Sequence, residues 1–369
     1  MRIGIPKETK DKENRVALTP SGASELVSIG HEVSIEDRAG EGSGFSNEDY
    51  VANGASIVST SDAWNRELVL KIKEPLQSEY QYLKDNILFT YLHLAGVDPA
   101  LTDALLNAGT TAVAYETVED ENGKLPLLAP MSAVAGNIAA NVGGYYLAKF
   151  NGGKGMQLGQ VMGNSYGKAM VIGNGIVGQH AAHMLQSMGT CVLMVCRERE
   201  SFDAMAFADP AGLEYVQSTP DTIAGHIADS DLVIGAALLA GARAPHVVTE
   251  KMVETMQPGS VIVDVSIDQG GCIETSRPTS HSDPVYIQYD VIHYCVTNMP
   301  GAYPRTSTLA LTNATFEYIV RLADSGLDQL SSDPGFAKGV NTCHGYICYK
   351  PVAEALEKTD CFQPLKDIR

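Results

Sequence analysis

The stretch Val171-Ile-Gly-Asn-Gly-Ile-Val-Gly178 constrains this chain more than any other. An apolar run enters a glycine-rich turn and continues as a helical pattern, with Gly173, Gly175 and Gly178 in the order G-x-G-x-x-G. The first glycine permits the tight turn. The second lets the backbone approach a pyrophosphate, and the third lets the helix pack closely on the strand. The helix that follows offers unpaired N–H groups and a positive dipole end to phosphates. Roughly twenty residues further on, an NAD site usually carries Asp or Glu for the ribose 2′-hydroxyl. Here the next apolar run ends in Cys196, with Arg197 and Arg199 beside it. The reading is a dinucleotide site for NAD or NADP, leaning to NADP. A neutral thiol does not repel a 2′-phosphate, and two guanidinium groups stand ready to bind one, although Glu198 lies between them.

Composition narrows the partners. The 369 residues suffice for two domains, and 44% hydrophobic content supports a packed core. A formal net charge of −18 argues against nucleic acid and anionic membranes. No uncharged apolar run reaches the roughly 18 residues of a membrane span. The opening Met1-Arg-Ile-Gly-Ile-Pro6 reads as a strand and not as a signal peptide, so a cytoplasmic location is expected. Seven cysteines, an odd number in a large chain, fit reduced thiols. Cys343-His344-x3-Cys348 is the nearest approach to a metal cluster, but it lacks a second ligand pair and no metal is expected.

Along the chain, short apolar runs alternate with helical patterns. Strands are expected at Arg2–Pro6, Glu32–Glu36, Leu68–Leu70, Ile87–Thr90 and Ala112–Ala114, with helices such as Thr19–Ile29 and Pro99–Ala108 between them. A helix rich in small residues follows at Ser132–Lys149, then a glycine-rich loop over 151–167. A second alternating unit places strands at Lys168–Ile172, Cys191–Val195, Asp231–Ile234, Ser260–Val265 and His293–Thr297. Such alternation predicts an α/β fold of two Rossmann-like, doubly wound parallel sheets, linked by long helices with a cleft between them. The helical stretch Leu309–Ala323 suggests a return to the first unit. The substrate domain would then be discontinuous, 1–128 with 303–369, around a dinucleotide domain at 129–302.

Ligands of such folds bind at the carboxyl ends of strands, and four segments place polar residues there. Arg15 precedes the helix start at Thr19-Pro20; its planar guanidinium suits a carboxylate, though a solvated surface arginine is the plain alternative. Lys73 closes an apolar run, either as a point charge in a cleft or as a rim partner of Glu74. His93, in Phe89-Thr-Tyr-Leu-His-Leu, is either a satisfied core histidine or the general acid/base among nine histidines. Val261-Ile-Val-Asp-Val-Ser-Ile-Asp268 reads as a strand ending in Asp268, with Asp264 structural and two glycines close behind. Asn298 opens a Met-Pro-Gly turn, where it either bonds a ligand or starts the turn.

The ordered segments Gly4-Ile-Pro-Lys-Glu8, Glu13-Asn-Arg-Val-Ala-Leu-Thr-Pro20, Gly40-Glu-Gly-Ser-Gly-Phe-Ser46, Lys73-Glu-Pro75, Thr90-Tyr-Leu-His-Leu-Ala95, Ala114-Tyr-Glu-Thr-Val118, Leu127-Leu-Ala-Pro-Met-Ser132, the glycine turn, Asp264-Val-Ser-Ile-Asp-Gln-Gly-Gly271 and His293-Tyr-Cys-Val-Thr-Asn-Met-Pro-Gly301 together resemble the alanine dehydrogenase/pyridine nucleotide transhydrogenase family over nearly the whole chain. The resemblance implies reversible NAD(P)-dependent oxidative deamination of L-alanine to pyruvate and ammonia. It gives Arg15 and Lys73 the substrate carboxylate, His93 the acid/base role and Asp268 a place in the catalytic site. Tyr91, Leu128, Met131, Asn298 and Met299 would line a pocket for a small side chain. Cofactor contacts implied are Ser132, Gly173, Gly175, Ile176, Val177, Gly178, Cys196, Arg197, Arg199, Leu238, Ile267, Asp268, Asn298 and Met299. It further implies a homo-oligomer, commonly a hexamer. Departures from the family pattern are Cys196, Ala133, Asn137 and Ala240-Gly241. The competing readings are reductive amination of another small 2-oxo acid, the nucleotide-binding component of a transhydrogenase, and a non-catalytic nucleotide-binding relative.

Overall fold

The computed structural model describes residues 1–203, 212–237, 244–328, 330 and 333–368. Two compact units emerge: Met1–Met131 with Tyr303–Arg369, and Ser132–Ala302. The first unit is built on β1 (Arg2–Ile5), β2 (Glu32–Glu36), β3 (Ser56–Val58), β4 (Leu68–Leu70), β5 (Ile87–Thr90) and β6 (Thr111–Ala114). These run parallel in the order β3-β2-β1-β4-β5-β6. β4 and β6 are buried at every position, as strands covered on both faces must be. Local signals start and stop the connecting helices. Thr19 caps Pro20–Ser28, its hydroxyl accepting from the Gly22 N–H at 3.2 Å. Asp98 caps Pro99–Ala108 in the same way, and Gly109 at φ 69 ends that helix.

In the second unit a small hairpin, β7 (Gln160–Val161) and β8 (Asn164–Ser165), lies within the glycine-rich run expected as loop. The sheet comprises β9 (Lys168–Ile172), β10 (Cys191–Cys196), β11 (Leu213–Gln217), β12 (Leu232–Gly235), β13 (Val261–Asp264), β14 (Val285–Gln288) and β15 (Val291–Tyr294), in the order β11-β10-β9-β12-β13-β15-β14. Alternate residues of β9 feed two cores: Ala169 and Val171 enter one cluster, Met170 and Ile172 the other. That is the signature of a sheet with apolar layers on both faces.

The chain then returns to the first sheet. β16 (Val340–Cys343) pairs antiparallel with β6, and β17 (Tyr346–Ile347) pairs antiparallel with β16. The expectation of parallel sheets therefore holds for the centre of each unit, while β14, β16 and β17 add antiparallel edges. One local expectation changes. β13 stops at Asp264, so Asp268 is not a strand residue; it sits on the 3-10 turn Val265–Gln269. The strand ends there because the Asp264 carboxylate turns the backbone, accepting the N–H groups of Ser266, Cys272 and Ile273. In both units the two central strands, β1 and β4 or β9 and β12, lie where the strand order reverses. At such a switch point, loops diverge at the carboxyl ends and leave a crevice.

Candidate active site

In the first unit β1 and β4 deliver their following segments side by side. Lys71, just past β4, is fully buried, with its Nζ 3.1 Å from both Glu8 and Glu79. Glu8 also accepts the Ile72 N–H at 2.7 Å. Burial alone would weaken the Lys71 ammonium, but the two carboxylates outweigh it and its hold on the proton rises. This network fixes the backbone that carries Lys73.

Arg15 is 2% exposed. Its Nε and Nη2 engage the two carboxylate oxygens of Glu13 at 2.7 and 2.5 Å, and its Nη1 lies 3.1 Å from the Met131 sulfur. Burial works against the guanidinium; Glu13 outweighs it, so Arg15 stays charged. The Nε–Nη2 edge is thus committed to Glu13, while Nη1 lies beside Met131. Tyr91 stands near Arg15. Its hydroxyl donates to the Leu127 carbonyl at 2.6 Å, and burial pushes that hydroxyl well above its usual range. Lys73 Nζ lies 6.0 Å from the Tyr91 ring centroid. His93 stacks on Tyr91, with ring centroids 5.7 Å apart and planes 3° from parallel.

His93 holds a left-handed backbone at φ 50, uncommon for a residue other than glycine. Glu116 stabilises it, accepting the His93 N–H at 2.6 Å and the Leu92 N–H at 3.3 Å. The same carboxylate lies 3.8 Å from His93 Nδ1, and the imidazole is 40% exposed. The structure thus brings Met131, Arg15, Tyr91, Lys73 and His93 into one constellation, with Leu128 half-buried close by in sequence. Sequence reasoning assigned no role to Glu13, Glu116 or the Glu8–Lys71–Glu79 network. Glu13 had a visible signal, two residues from Arg15. Glu116 lay within the Ala114–Val118 segment, but nothing there tied it to His93, its partner 23 residues away.

The glycine turn of the second unit behaves as its spacing predicts. Gly173 has φ +106, and a side chain there would meet the Ala236 carbonyl at 2.5 Å. A Cβ at Gly178 would stand 1.8 Å from the Gly173 oxygen, so only glycine allows the helix Ile176–Ser187 this close to the strand. Gly175 is the N-cap and supplies no side-chain acceptor; a Cβ there would enter open space in front of the helix. Unpaired N–H groups facing space that any other residue would begin to fill fit a dinucleotide pyrophosphate. Ile176 is exposed and Val177 half-buried.

Cys196 ends β10, but its side chain is 1% exposed and belongs to the core, and burial raises its thiol to about 11. It is therefore neutral. Arg197 is exposed, and the Arg199 guanidinium lies 5.1 Å from the Tyr215 ring centroid. Asp268 is exposed and accepts the Asn298 N–H at 3.5 Å. Asn298 has φ 61, and its carbonyl lies 3.0 Å from His281 Nε2. Ile267 and Met299 are buried, the latter within the core, and Ser132 is half-buried. Leu238 and Ala240-Gly241 lie outside the described residues. Among the described residues no group of three or more His, Cys, Asp or Glu is placed to hold a metal, and no helix is long and apolar enough to cross a membrane.

Two units of this strand order, one with a glycine cradle and one with buried ions at its switch point, define a double dinucleotide-fold protein. The family models for the N-terminal and C-terminal domains of alanine dehydrogenase/PNT match residues 4–135 and 139–350, and the chain belongs to that family. It is 48% identical to alanine dehydrogenase of Bacillus subtilis (strain 168) over 360 residues, 96% of this chain and 95% of that protein. It is 47% identical to that of Mycolicibacterium smegmatis over 97% of each. Among solved structures, an L-alanine dehydrogenase superposes with a TM-score of 0.93 at 46% identity, covering 97% of this chain and 99% of that one. A transhydrogenase from Sinorhizobium meliloti shares the fold, with a TM-score of 0.80 at 23% identity, covering 95% and 99%.

Proposed function

We propose that the chain interconverts L-alanine with pyruvate and ammonia as a cytoplasmic homo-oligomer, in keeping with the hexamers of its family. The unit 1–128 with 303–369 serves the substrate and 129–302 the dinucleotide. The constellation of Arg15, Lys73, Tyr91 and His93 at the first switch point carries this reading. A small 2-oxo or 2-amino acid offers one carboxylate, and two cations among apolar surfaces suit it.

Arg15 and Lys73 hold the carboxylate and so fix the direction of the Cα–H bond. Bound nicotinamide supplies the hydride acceptor or donor. Oxidising the Cα–N bond makes the nitrogen cationic, and the Asp268 carboxylate stabilises that charge. Water must then add to the imine carbon. His93 takes the proton from the water oxygen, and in the reverse direction returns one to the carbonyl oxygen. Tyr91 and Met131, both buried beside Arg15, are the residues this reading sets against the small side chain. The cofactor leans to NADP, supported by the neutral Cys196 and exposed Arg197. Initial rates of pyruvate reduction with ammonia, using NADH and NADPH in parallel, test the reading. Turnover is expected with at least one cofactor, faster with NADPH. No turnover with either would sink the activity, and turnover with NADH alone would sink the NADP preference.

A further inference from the structure

One stretch of the chain is almost without charge. From Leu125 to Cys196 the only charged side chains are Lys149, Lys154 and Lys168, in a chain that is 19% charged. The acidic excess behind the net −18 therefore lies wholly elsewhere. Burial explains part of this, since β9, β10 and the helix between them feed the core, but it does not explain the outer surface. The helix Ala129–Tyr146 has no charged residue, and it leaves exposed Asn137, Asn141 and Tyr145, one stripe at i, i+4 and i+8. A helix turned to water normally carries charge on that side. The Tyr145 ring meets Phe150 edge-on, with centroids 6.1 Å apart, and Phe150 is 81% exposed. The chain then passes through Leu158, which packs in the core, into the hairpin β7–β8. Every residue of both hairpin strands is exposed, as are Tyr166 and, at 97%, Met162 in the turn. Met162 and Gly163 turn with φ 51 and 82, and Asn, Asp or Gly is usual where this chain has Met162. The Gln160 N–H donates to the carbonyl of the exposed Met188 at 3.0 Å, and the Ser165 hydroxyl donates to the Gly189 carbonyl at 2.6 Å. A two-stranded hairpin with neither face covered is marginal in water.

We propose that this strip, Tyr145 and Phe150 with the hairpin β7–β8 and Met188, docks against the same strip of a second copy of the chain in an isologous contact. The inference rests on the homo-oligomer reading above and names its surface. Composition and charge choose the occupant. The core of a protein interface is poor in charge and rich in aromatic residues and Met, and so is this strip. A chain of net charge −18 repels its own copies. The repulsion is least where two strips without a carboxylate face each other. A strongly charged partner would find little countercharge here, since only Lys149 and Lys168 are both charged and exposed, while Lys154 is held by Asp231 at 2.5 Å. A contact of the strip with itself needs none. It takes from water Met162 and Phe150, the two most exposed large apolar side chains among the described residues, and gives the hairpin the packed face it lacks.

Light scattering of the full chain on a sizing column, over a dilution series, tests this. The double variant Phe150→Asp, Met162→Asp sets two carboxylates of each copy into the contact. Both positions are exposed in the single chain, so its fold should survive, and an unchanged circular dichroism spectrum checks that. Where the wild type is assembled, the variant's mass should fall at least about twofold, as it must when an isologous contact opens. Reassembly should need at least about a hundredfold more protein, the loss expected when the central side chains of an interface are spoiled. Ile287→Asp, at another open apolar position on the edge strand β14, should leave the mass unchanged. A folded double variant of wild-type mass would overturn the docking surface and leave the homo-oligomer reading standing. An equal loss of mass from Ile287→Asp would do the same. A wild type that is monomeric throughout the series would overturn both. Should the double variant not fold, Met162→Asp alone, in the exposed turn, carries the same readout.

Discussion

In the first unit the chain leaves β1 at Ile5 and wanders from Pro6 to Thr19 before it reaches a helix; in the second it leaves β9 at Ile172 and enters a helix after Gly173, Asn174 and Gly175. The strand order around both exits is the same. The long excursion lets Glu8, Glu13 and Arg15 fold back over the switch point, where on the proposed reading side chains do the recognising. The short glycine turn leaves only backbone there, so on the same reading N–H groups and a helix dipole do it instead. One topology would thus host two kinds of anion site, set apart by the length of the first loop.

Three measurements bear on that contrast. The largest effect belongs to side-chain chemistry in the first unit. His93→Asn keeps a residue that tolerates φ 50 but removes the proton acceptor; kcat should fall by roughly 10²–10⁴ while the dinucleotide Kd stays within about twofold. A parallel loss of dinucleotide affinity would break the division of labour.

The second concerns stability. His293 in the second unit is fully buried between Thr275 (Nε2 to Oγ1, 2.8 Å) and the Val291 carbonyl, and burial lowers it from 6.5 to about 4. Between those values the unfolded chain binds a proton that the folded chain refuses. Stability that is complete above pH 6.5 is therefore lost as the pH falls towards 4, by about 3 kcal/mol in all. Urea unfolding at pH 7 and pH 5, compared between wild type and His293→Gln, should show a smaller pH difference in the variant. Equal differences would show that the second unit owes nothing to this neutral imidazole.

The smallest effect is cofactor choice. Cys196→Asp places a carboxylate at the end of β10; it should shift kcat/KM from NADPH towards NADH by about tenfold, or 1.4 kcal/mol. An unchanged ratio would mean that Arg197 and Arg199 set the preference without help from residue 196.

Much of both units was legible because central strands are uninterrupted apolar runs: Leu68–Leu70, Ile87–Thr90 and Lys168–Ile172 stand where the sequence predicts them. The edges were not. β3, β11 and β14 are only partly buried and mix polar with apolar residues, so neither period dominates. β16 follows a long helix and shows nothing of its distant partner β6. In the site, Arg15, Lys73 and His93 stood out as charged or titratable residues breaking apolar context. Their supports did not: Glu116 reads as one acidic residue among 44 until folding brings it to His93. Asp268 was placed on a strand because Val265 and Ile267 continue the apolar pattern, and only the carboxylate of Asp264 stops the ladder.

The antiparallel seam between β6 and β16 joins residues more than two hundred positions apart. During synthesis the ribosome therefore finishes β6 long before its neighbour exists. Through that interval β6, a strand buried along its whole length in the folded unit, stands as an open edge of the first sheet, while Ser132–Ala302 is made and can fold as a closed segment. The nascent chain carries its own delayed edge cover, and any pause before Val340 lengthens the time in which that edge is open to a chaperone or to another nascent copy.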